Sequence, residues 1–353
     1  MRIAVVALAA IVGWCATSTA AAHADEGRSP SDTRPLVLLA QGDAIVASAP
    51  AAPGDPPEGA GLRLRRLQIG ADGRTAYLHA RGVLEAQDAD AAGESFAPVA
   101  GGRLAGPLRV TEAFLSWTPH VAIHVDAGAL RVPFSRTRQV PDANLRMPER
   151  AAFTRTMAPD FRVGAGVGGD LGAMSYAAAV MSSSRWIDGD LFDRGAMVAV
   201  RLAAEPIGPV GLTPWRRPLD DPWTDWFRFG HGVSFLYGTL FEPRSIGAGT
   251  DAAVQWRRVV VTGEYLFLHA PSGNQQGAVL EPGLTLGPRR LDIVARGSWQ
   301  RAAGGNGWGA GAAVTLYAPD PRARLQAGFE RRTGPDPLGA ASYALLRVTF
   351  AID

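Results

Sequence analysis

The segment that decides the fold runs from Val121 to Arg131 and reads VAIHVDAGALR. Its odd positions from 121 to 129 carry valine, isoleucine or alanine, whereas His124 and Asp126 occupy even positions. Because side chains alternate between the two faces of an extended strand, one face of this segment is apolar and the other is polar. An alternating run of about ten residues is typical of a strand that crosses a membrane in a β-barrel, with lipid outside and water inside.

Two later segments repeat this alternation. In 291–300, Asp292 and Arg296 share one face and oppose an apolar face; in 324–332, Gln326 and Glu330 do the same. The pattern predicts which side chains contact lipid and which point into the barrel lumen. The predicted lipid-facing set is Val121, Ile123, Val125, Leu291, Ile293, Leu325 and Phe329, and the predicted lumenal set is Asp126, Asp292, Arg296, Gln326 and Glu330.

About fifteen such segments lie between residue 61 and the C-terminus, separated by glycine, proline, aspartate and asparagine. Bacterial single-chain barrels have even strand numbers. We therefore predict an all-β fold, a closed antiparallel transmembrane β-barrel of about 16 strands over residues 61–353, with the undetected strand within 205–228. A soluble β-sandwich or β-solenoid is the alternative, but its strands usually have five or six residues. Aromatic residues near the strand ends also favour the membrane barrel.

The N-terminus predicts a cleaved signal peptide, residues 1–24. Arg2 precedes an apolar run that is too short to cross about 30 Å of hydrocarbon as a helix, and Ala22 and Ala24 suit a signal peptidase. Residues 25–60 are rich in alanine and proline, which predicts a flexible periplasmic leader. The one cysteine, Cys15, lies in the signal peptide. The mature chain then has neither a disulfide nor a thiolate metal site.

The charge composition gives no indication of a nucleic-acid partner. The net charge is +2, and all 35 basic residues are arginine. A nearly neutral chain has no strong overall field to attract nucleic acid or acidic lipid. We expect outer-membrane lipid and small hydrophilic solutes, anions in particular, as partners, and no cofactor.

The stretch 111–170 resembles the phosphate-selective porin family, which includes porins O and P. The resemblance lies in Glu112–Trp117, Val121–Ala129, Gly128–Arg136, Pro148-Glu149-Arg150, Ala158–Arg162 and Val163–Asp170, with Arg63–Leu67 resembling the first strand of these porins. It implies a porin of the bacterial outer membrane for passive diffusion, an inward constriction loop near 131–162, and a homotrimer. The lysines of the family's phosphate site are absent, because this chain has no lysine. Phosphate specificity is therefore not implied.

An arginine-rich loop is the candidate functional site. Only three acidic residues, Asp142, Glu149 and Asp160, lie among its arginines. Rings of arginine favour anions through their field and their hydrogen bonds. The alternative is a loop that is merely solvated and self-paired. The predicted pore-lining residues are Arg131, Arg136, Arg138, Arg146, Arg150, Arg155, Arg162 and Asp126.

Other motifs predict no chemistry. Gly164–Gly169 matches GxGxxG, but no apolar strand precedes it as a dinucleotide fold requires. His120 and His124 stand about 13 Å apart on a strand and lack further ligands. Local signatures of an enzyme are absent, so we predict no catalytic activity. A non-conducting barrel that acts as a surface anchor or scaffold remains the alternative function.

Overall fold

A computed structural model of the chain describes the residues that form the barrel and its inner loop. These are residues 36–48, 59–87, 109–140, 145–183, 195–207, 210, 227–239, 244–286, 291–302, 304–318, 323–334 and 341–352. The predicted signal peptide lies outside the described residues, and so does Asp142 of the arginine-rich loop.

Sixteen antiparallel strands form a closed barrel in which each strand pairs with its neighbours in sequence and β1 pairs with β16. The predicted fold class is therefore confirmed. The strands are β1 Leu36–Ser48, β2 Gly59–Arg74, β3 Leu78–Gln87, β4 Arg109–His120, β5 Ile123–Arg131, β6 Phe161–Leu171, β7 Met174–Ser182, β8 Ala196–Ile207, β9 Phe227–Gly238, β10 Ser245–Trp256, β11 Val259–Ala270, β12 Gly273–Leu286, β13 Leu291–Ala302, β14 Gly305–Tyr317, β15 Ala323–Thr333 and β16 Ala341–Ile352.

Two short helices lie in the connection between β5 and β6. They are α1, Arg136–Gln139, and α2, Ala152–Met157. Neither these nor any other helix of the described residues is long and apolar enough to cross a membrane.

The first strand corrects two predictions. The sequence predicts that residues 36–48 belong to the flexible leader 25–60 and that the undetected strand lies within 205–228. Instead β1 occupies 36–48 and pairs with both β2 and β16. Its start, Leu36 to Ala40, is an apolar run without alternation, which hides the period of two that marks a strand. Gly59 and Ala60, also placed in the leader, begin β2. The remaining leader residues, 25–35 and 49–58, lie outside the described part.

The two faces of the barrel agree with the alternation in the sequence. The apolar side chains Val121, Ile123 and Val125 are exposed on the outer surface, as are Ile293 and Phe329. The predicted lumenal residues Asp292, Arg296, Gln326 and Glu330 are all buried. In a barrel of the membrane, the first set contacts lipid and the second set the lumen.

The connections between strands locate the inner loop relative to the two ends of the barrel. One end has tight turns at 75–77, 121–122, 172–173 and 257–258, and here β1 begins and β16 ends. The longest connection within the described part, residues 132–160 between β5 and β6, starts from the other end. It contains the predicted functional site.

Candidate functional site in the barrel lumen

The described residues of 132–160, hereafter the inner loop, fold into the barrel. Phe134 and Phe153 are fully buried in an apolar cluster with Leu236 of β9 and Leu266 of β11. These strand residues belong to the buried face, opposite the exposed apolar face. The loop can reach that face only from inside the closed barrel.

Four glycines on the inner face of the wall make room for the inner loop. A Cβ at Gly277 would overlap the ring of Phe153, and a Cβ at Gly283 would overlap the guanidinium of Arg146. A Cβ at Gly247 would likewise overlap the ring of Phe134, and a Cβ at Gly328 would overlap the ring of Pro148. A densely packed interior does not tolerate such overlaps. The absent side chains therefore permit the loop to pack directly on the strand backbone.

Arg146 attaches the inner loop to the part of the wall that lies opposite β5, the strand from which the loop starts. Its guanidinium donates two hydrogen bonds to the carboxylate of Asp292 on β13, at 2.9 and 2.7 Å, and a third to the carbonyl oxygen of Val260. In the sixteen-strand ring, β13 lies eight places from β5, which is half the circumference. Burial lowers the pKa of Arg146, but its hydrogen bond to Asp292 and the charge of Asp292 outweigh this effect and raise it. The loop therefore spans the lumen.

A second attachment joins the inner loop to the seam between the first and last strands. Glu149 accepts a hydrogen bond from Arg347 of β16 at 2.6 Å, and the carbonyl oxygen of Pro148 accepts another from the same guanidinium. Arg347 also makes a bidentate pair with Asp43 of β1. All three charged side chains are buried. Buried charges require such pairing, since an unpaired one is costly in a low-dielectric interior.

A third attachment surrounds the first helix of the inner loop. Ser135 caps α1 by accepting a hydrogen bond from the backbone N–H of Arg138, and its hydroxyl donates to Glu264 of β11 at 2.7 Å. The Thr137 hydroxyl donates to the other carboxylate oxygen of Glu264 at 2.5 Å. One wall carboxylate thus holds both residues that flank Arg136.

Most predicted pore-lining arginines hold the loop in shape. Arg131 donates to the carbonyl oxygen of Arg138 at 2.8 Å, Arg138 to that of Ala158 at 3.2 Å, and Arg150 to those of Thr137 and Val140. Arg162 on β6 is buried and donates to the carbonyl oxygen of Phe161. The guanidinium groups of Arg131, Arg138 and Arg150 therefore satisfy backbone carbonyls that the irregular loop leaves unpaired. The side chain of Arg155 is outside the described part, although its backbone belongs to α2.

Arg136 differs from the other loop arginines. Within the described residues its guanidinium makes no hydrogen bond, and its Nε is buried without a partner. Burial lowers its pKa, which the negative charges of Asp251, Glu264 and Glu281 partly oppose. An arginine remains protonated at neutral pH even so. Arg136 thus presents an uncommitted positive charge to the lumen, facing a wall that carries carboxylates.

Asp160 marks a second positive region at the other end of the inner loop. Its side chain is 46% exposed. Partial burial raises its pKa, but the charges of Arg138, Arg131, Arg150 and Arg66 outweigh that effect and lower the pKa to about 2. The local potential around this open position is therefore positive.

Asp126 lies on the lumenal face of β5, as predicted. Its carboxylate is 3.4 Å from Nε2 of His124, two residues earlier on the same face. The GxGxxG segment is part of strand β6 and precedes no helix, so it has no dinucleotide-binding geometry. No group of three potential metal-ligating side chains occurs in the described part of the chain.

Sequence reasoning missed the ion pairs and charged networks of the lumenal wall. The bidentate pair of Arg201 and Asp251, the Glu281–Arg296–Glu330 network and Asp43 all lie on the lumenal wall. For Arg296 and Glu330, the alternation predicted the lumenal face but not the partner. Asp43 was missed with its strand. Lumenal glycines at alternate strand positions were the available signal for a loop packed against the wall.

Comparisons with known proteins show likeness in fold alone. No protein-family model and no curated protein matches the chain. Solved structures that match include OprB of Pseudomonas putida (TM-score 0.61, 9% identity, covering 90% of this chain and 94% of that one) and an anion-selective porin from Comamonas acidovorans (0.58, 10%, 90% and 98%). The outer membrane channel DcaP of Acinetobacter baumannii also matches (0.56, 11%, 90% and 96%). The chain therefore has the fold of the outer-membrane porins.

Proposed function

We propose that this protein is a porin of the bacterial outer membrane that allows passive diffusion of small hydrophilic solutes. The observation that carries the proposal is the inner loop, which crosses the lumen of a closed barrel and narrows it without leaving the barrel. The exposed apolar outer face and the charged lumenal face support a lipid-embedded barrel with an aqueous interior. The fold it shares with porins supports the same conclusion.

The pore prefers anions. Two features support this part of the proposal: the positive potential that lowers the pKa of Asp160 to about 2, and the uncommitted guanidinium of Arg136. Arginine selects anions by charge and by direct hydrogen bonding. The carboxylates that face Arg136 weaken the positive potential at that point. The potential around Asp160 stays positive, because the nearby charges there are those of arginines. Phosphate specificity is not part of the proposal.

The protein forms a homotrimer. Large aromatic side chains on the outer face concentrate on β9–β15, for example Phe235, Tyr237, Trp256, Trp308 and Phe329. Within the described residues, the outer positions of β1–β6 carry mainly alanine, glycine, valine, leucine and isoleucine, with Trp117 of β4 as an exposed exception. Because aromatic residues concentrate where a barrel meets the lipid interface, an aromatic-poor side is suited to face neighbouring copies.

One observation favours a second candidate function, a non-conducting barrel that anchors or scaffolds at the cell surface. The inner loop is fixed by buried ion pairs at both Asp292 and Arg347. A plug held so firmly would block diffusion if it filled the whole cross-section. The two functions differ in whether an open passage remains beside the loop.

Planar-bilayer recording of the purified, folded barrel distinguishes these functions. A porin gives stepwise increases in current and a reversal potential that indicates anion preference in a salt gradient. Protein that is folded, as shown by a heat-modifiable band on a gel, and yet gives no unit conductance would support the scaffold.

A further inference from the structure

Two exposed arginines lie on the outer face of the barrel. Arg301 of β13 and Arg331 of β15 are an even number of positions from Ile293 and Phe329 on the same strands, and therefore share their lipid-facing side. Every other outward position of the described strands β7–β16 carries an apolar residue, a neutral polar residue or a histidine. Formal charge on this large part of the outer face is thus confined to two sites.

Both arginines lie at the end of the barrel from which the inner loop starts. The strands β13 and β15 run in the same direction as β5, and they end at Ala302 and Thr333, one and two residues after the arginines. In bacterial barrels the longer loops are extracellular and the short turns are periplasmic. The inner loop is the longest connection of the described part. The two guanidinium groups therefore lie on the side of the outer leaflet.

The protein does not neutralise these two charges. Among the described residues, Arg301 and Arg331 make no hydrogen bond, ion pair or ring contact, whereas the lumenal arginines Arg296 and Arg347 both form buried ion pairs. A charged side chain on the lipid face of a barrel is destabilising unless it reaches the polar interface. At that interface an anionic group outside the chain is the partner that both arginines lack.

Polar side chains flank Arg301 on both neighbouring strands. Gln276 of β12 and Asn306 of β14 are its partners in the strand register, so the three side chains form a row on the outer face. The hydroxyl of Tyr265 donates to Oε1 of Gln276 at 3.1 Å. The amide N–H groups of Gln276 are then free of this contact and can donate to a ligand. The row therefore combines one cationic donor with neutral donors.

A tryptophan pair separates the two arginines. Trp299 precedes Arg301 by two positions on β13, and its ring centroid lies 6.3 Å from that of Trp308 on β14. Arg331 pairs in register with Ala310, two positions beyond Trp308. The spacing of strands and residues places the Cα atoms of the two arginines about 16 Å apart. Tryptophan rings lie where hydrocarbon meets lipid headgroups, so this surface has an aromatic centre between two cationic groups.

We propose that the outer face of β12–β15 binds a phosphorylated glycolipid of the outer leaflet, with Arg301 and Arg331 each holding a phosphate group. A guanidinium donates two parallel hydrogen bonds to phosphate, which makes arginine well suited to this contact. A wide headgroup with two phosphates matches two separated arginines better than a headgroup with one. Gln276 and Asn306 supply donors for sugar hydroxyls, and the tryptophan pair packs on the lipid between them. The inference goes beyond the proposed porin function and does not depend on conduction.

Lipid binding measured by native mass spectrometry tests the site. The barrel, purified in detergent, is titrated with diphosphoryl lipid A, a disaccharide glycolipid with two phosphates, and separately with phosphatidylethanolamine. Arg301→Gln and Arg331→Gln should each weaken binding of diphosphoryl lipid A about tenfold, whereas Arg301→Lys should retain most of the affinity. Arg257→Gln is the matched control. Arg257 is also an exposed arginine beside an exposed tryptophan, Trp256, but it lies in a turn at the opposite end of the barrel.

A heat-modifiable band on a gel shows that each variant is folded. Wild-type affinity in both Arg301→Gln and Arg331→Gln would overturn the proposed site. An equal loss in Arg257→Gln would overturn it too, because overall charge alone would then attract the lipid. If the glutamine variants do not fold, the wild type decides the question: it should prefer diphosphoryl to monophosphoryl lipid A and to phosphatidylethanolamine, and equal binding of all three would contradict the proposal. Bilayer recording tests the porin function separately, since none of these outcomes depends on conductance.

Discussion

Arg347 on the last strand and Asp43 on the first form a bidentate ion pair across the seam that closes the barrel, with distances of 2.7 and 2.9 Å. The same guanidinium holds Glu149 and the carbonyl oxygen of Pro148 in the inner loop. Arg347 and Asp43 come together only when β16 pairs with β1. One guanidinium therefore takes part both in closing the barrel and in docking the inner loop.

The first prediction concerns this link between the seam and the loop. In a Met147→Cys background, the additional substitution Asp43→Asn should increase the rate at which the introduced thiol reacts with a maleimide. Met147 is buried against Val294 and Ala313, so a thiol at this position is protected while the loop is docked. Removing one partner of a buried ion pair costs about 3–5 kcal/mol. We expect part of this cost to weaken the docking of the inner loop, so that the loop leaves the wall more often.

Asp251→Asn in the same background is the control. Asp251 also makes a buried bidentate pair, with Arg201, but Arg201 makes no hydrogen bond to the inner loop among the described residues. Glu149→Gln should raise the reactivity of the introduced thiol without destabilising the seam. Equal reactivity in the Asp43→Asn and Asp251→Asn proteins would show that Arg347 does not couple the two elements.

The barrel could be predicted from the sequence because the alternation is repeated in almost every strand. For Val121–Arg131 and Leu291–Gln300, lipid and water impose opposite chemistry on alternate residues, and the pattern is local. Strand β1 escaped detection because its first residues are apolar on both faces. The role of its lumenal Asp43 depends on the ion pair with Arg347, which lies some 300 residues away in sequence.

The sequence could predict where the candidate site lies, but it could not predict how the side chains of the site are paired. The density of arginines located the inner loop, yet their partners depend on tertiary contacts that sequence spacing does not reveal. Arg146 pairs with Asp292 on the opposite wall, whereas Arg138 and Arg150 bind carbonyl oxygens of the loop itself. Only the folded chain distinguishes these from Arg136, and the distinction changes which arginine is expected to control selectivity.

The second prediction concerns the glycines beneath the inner loop. Gly277→Ala should lower the free energy of unfolding by about 1–3 kcal/mol, the usual cost of overpacking, because its Cβ would meet the ring of Phe153. Gly297→Ala on β13 is the control, since a Cβ there has no atom within 4 Å. Urea unfolding of the two variants in detergent measures the difference. A Gly277→Ala protein as stable as Gly297→Ala would mean that Phe153 moves aside freely.

The third prediction concerns Asp160 and pH. Asp160→Asn should increase anion preference at neutral pH, because it removes a negative charge from a positive part of the lumen. The carboxylate titrates at about 2 in the folded protein, below its ordinary 3.8. Its ionised form therefore contributes to folded-state stability above pH 3.8, and this contribution is lost as the pH falls through about 2.

Reversal potentials of the wild type and Asp160→Asn should accordingly differ at pH 7 and still differ at about pH 4, because the folded-state pKa lies well below that value. A difference that has already vanished in the more acidic buffer would mean that Asp160 titrates at its ordinary pKa and that the surrounding arginines do not act on it.

The last prediction assigns selectivity to Arg136 rather than to its neighbours. Arg136→Glu should shift the reversal potential in a salt gradient toward cation preference, and Arg136→Gln should shift it by less, since it removes one charge instead of reversing it. Arg131→Gln is the matched control. It also removes one positive charge, but the Arg131 guanidinium donates to the carbonyl oxygen of Arg138 and approaches Glu112, so its charge is partly neutralised. The Arg136 effect should weaken between about 0.1 M and 1 M salt, as the Debye length falls from about 10 Å to about 3 Å. Equal shifts for Arg136→Gln and Arg131→Gln would mean that total loop charge, not the uncommitted guanidinium, decides which ions pass.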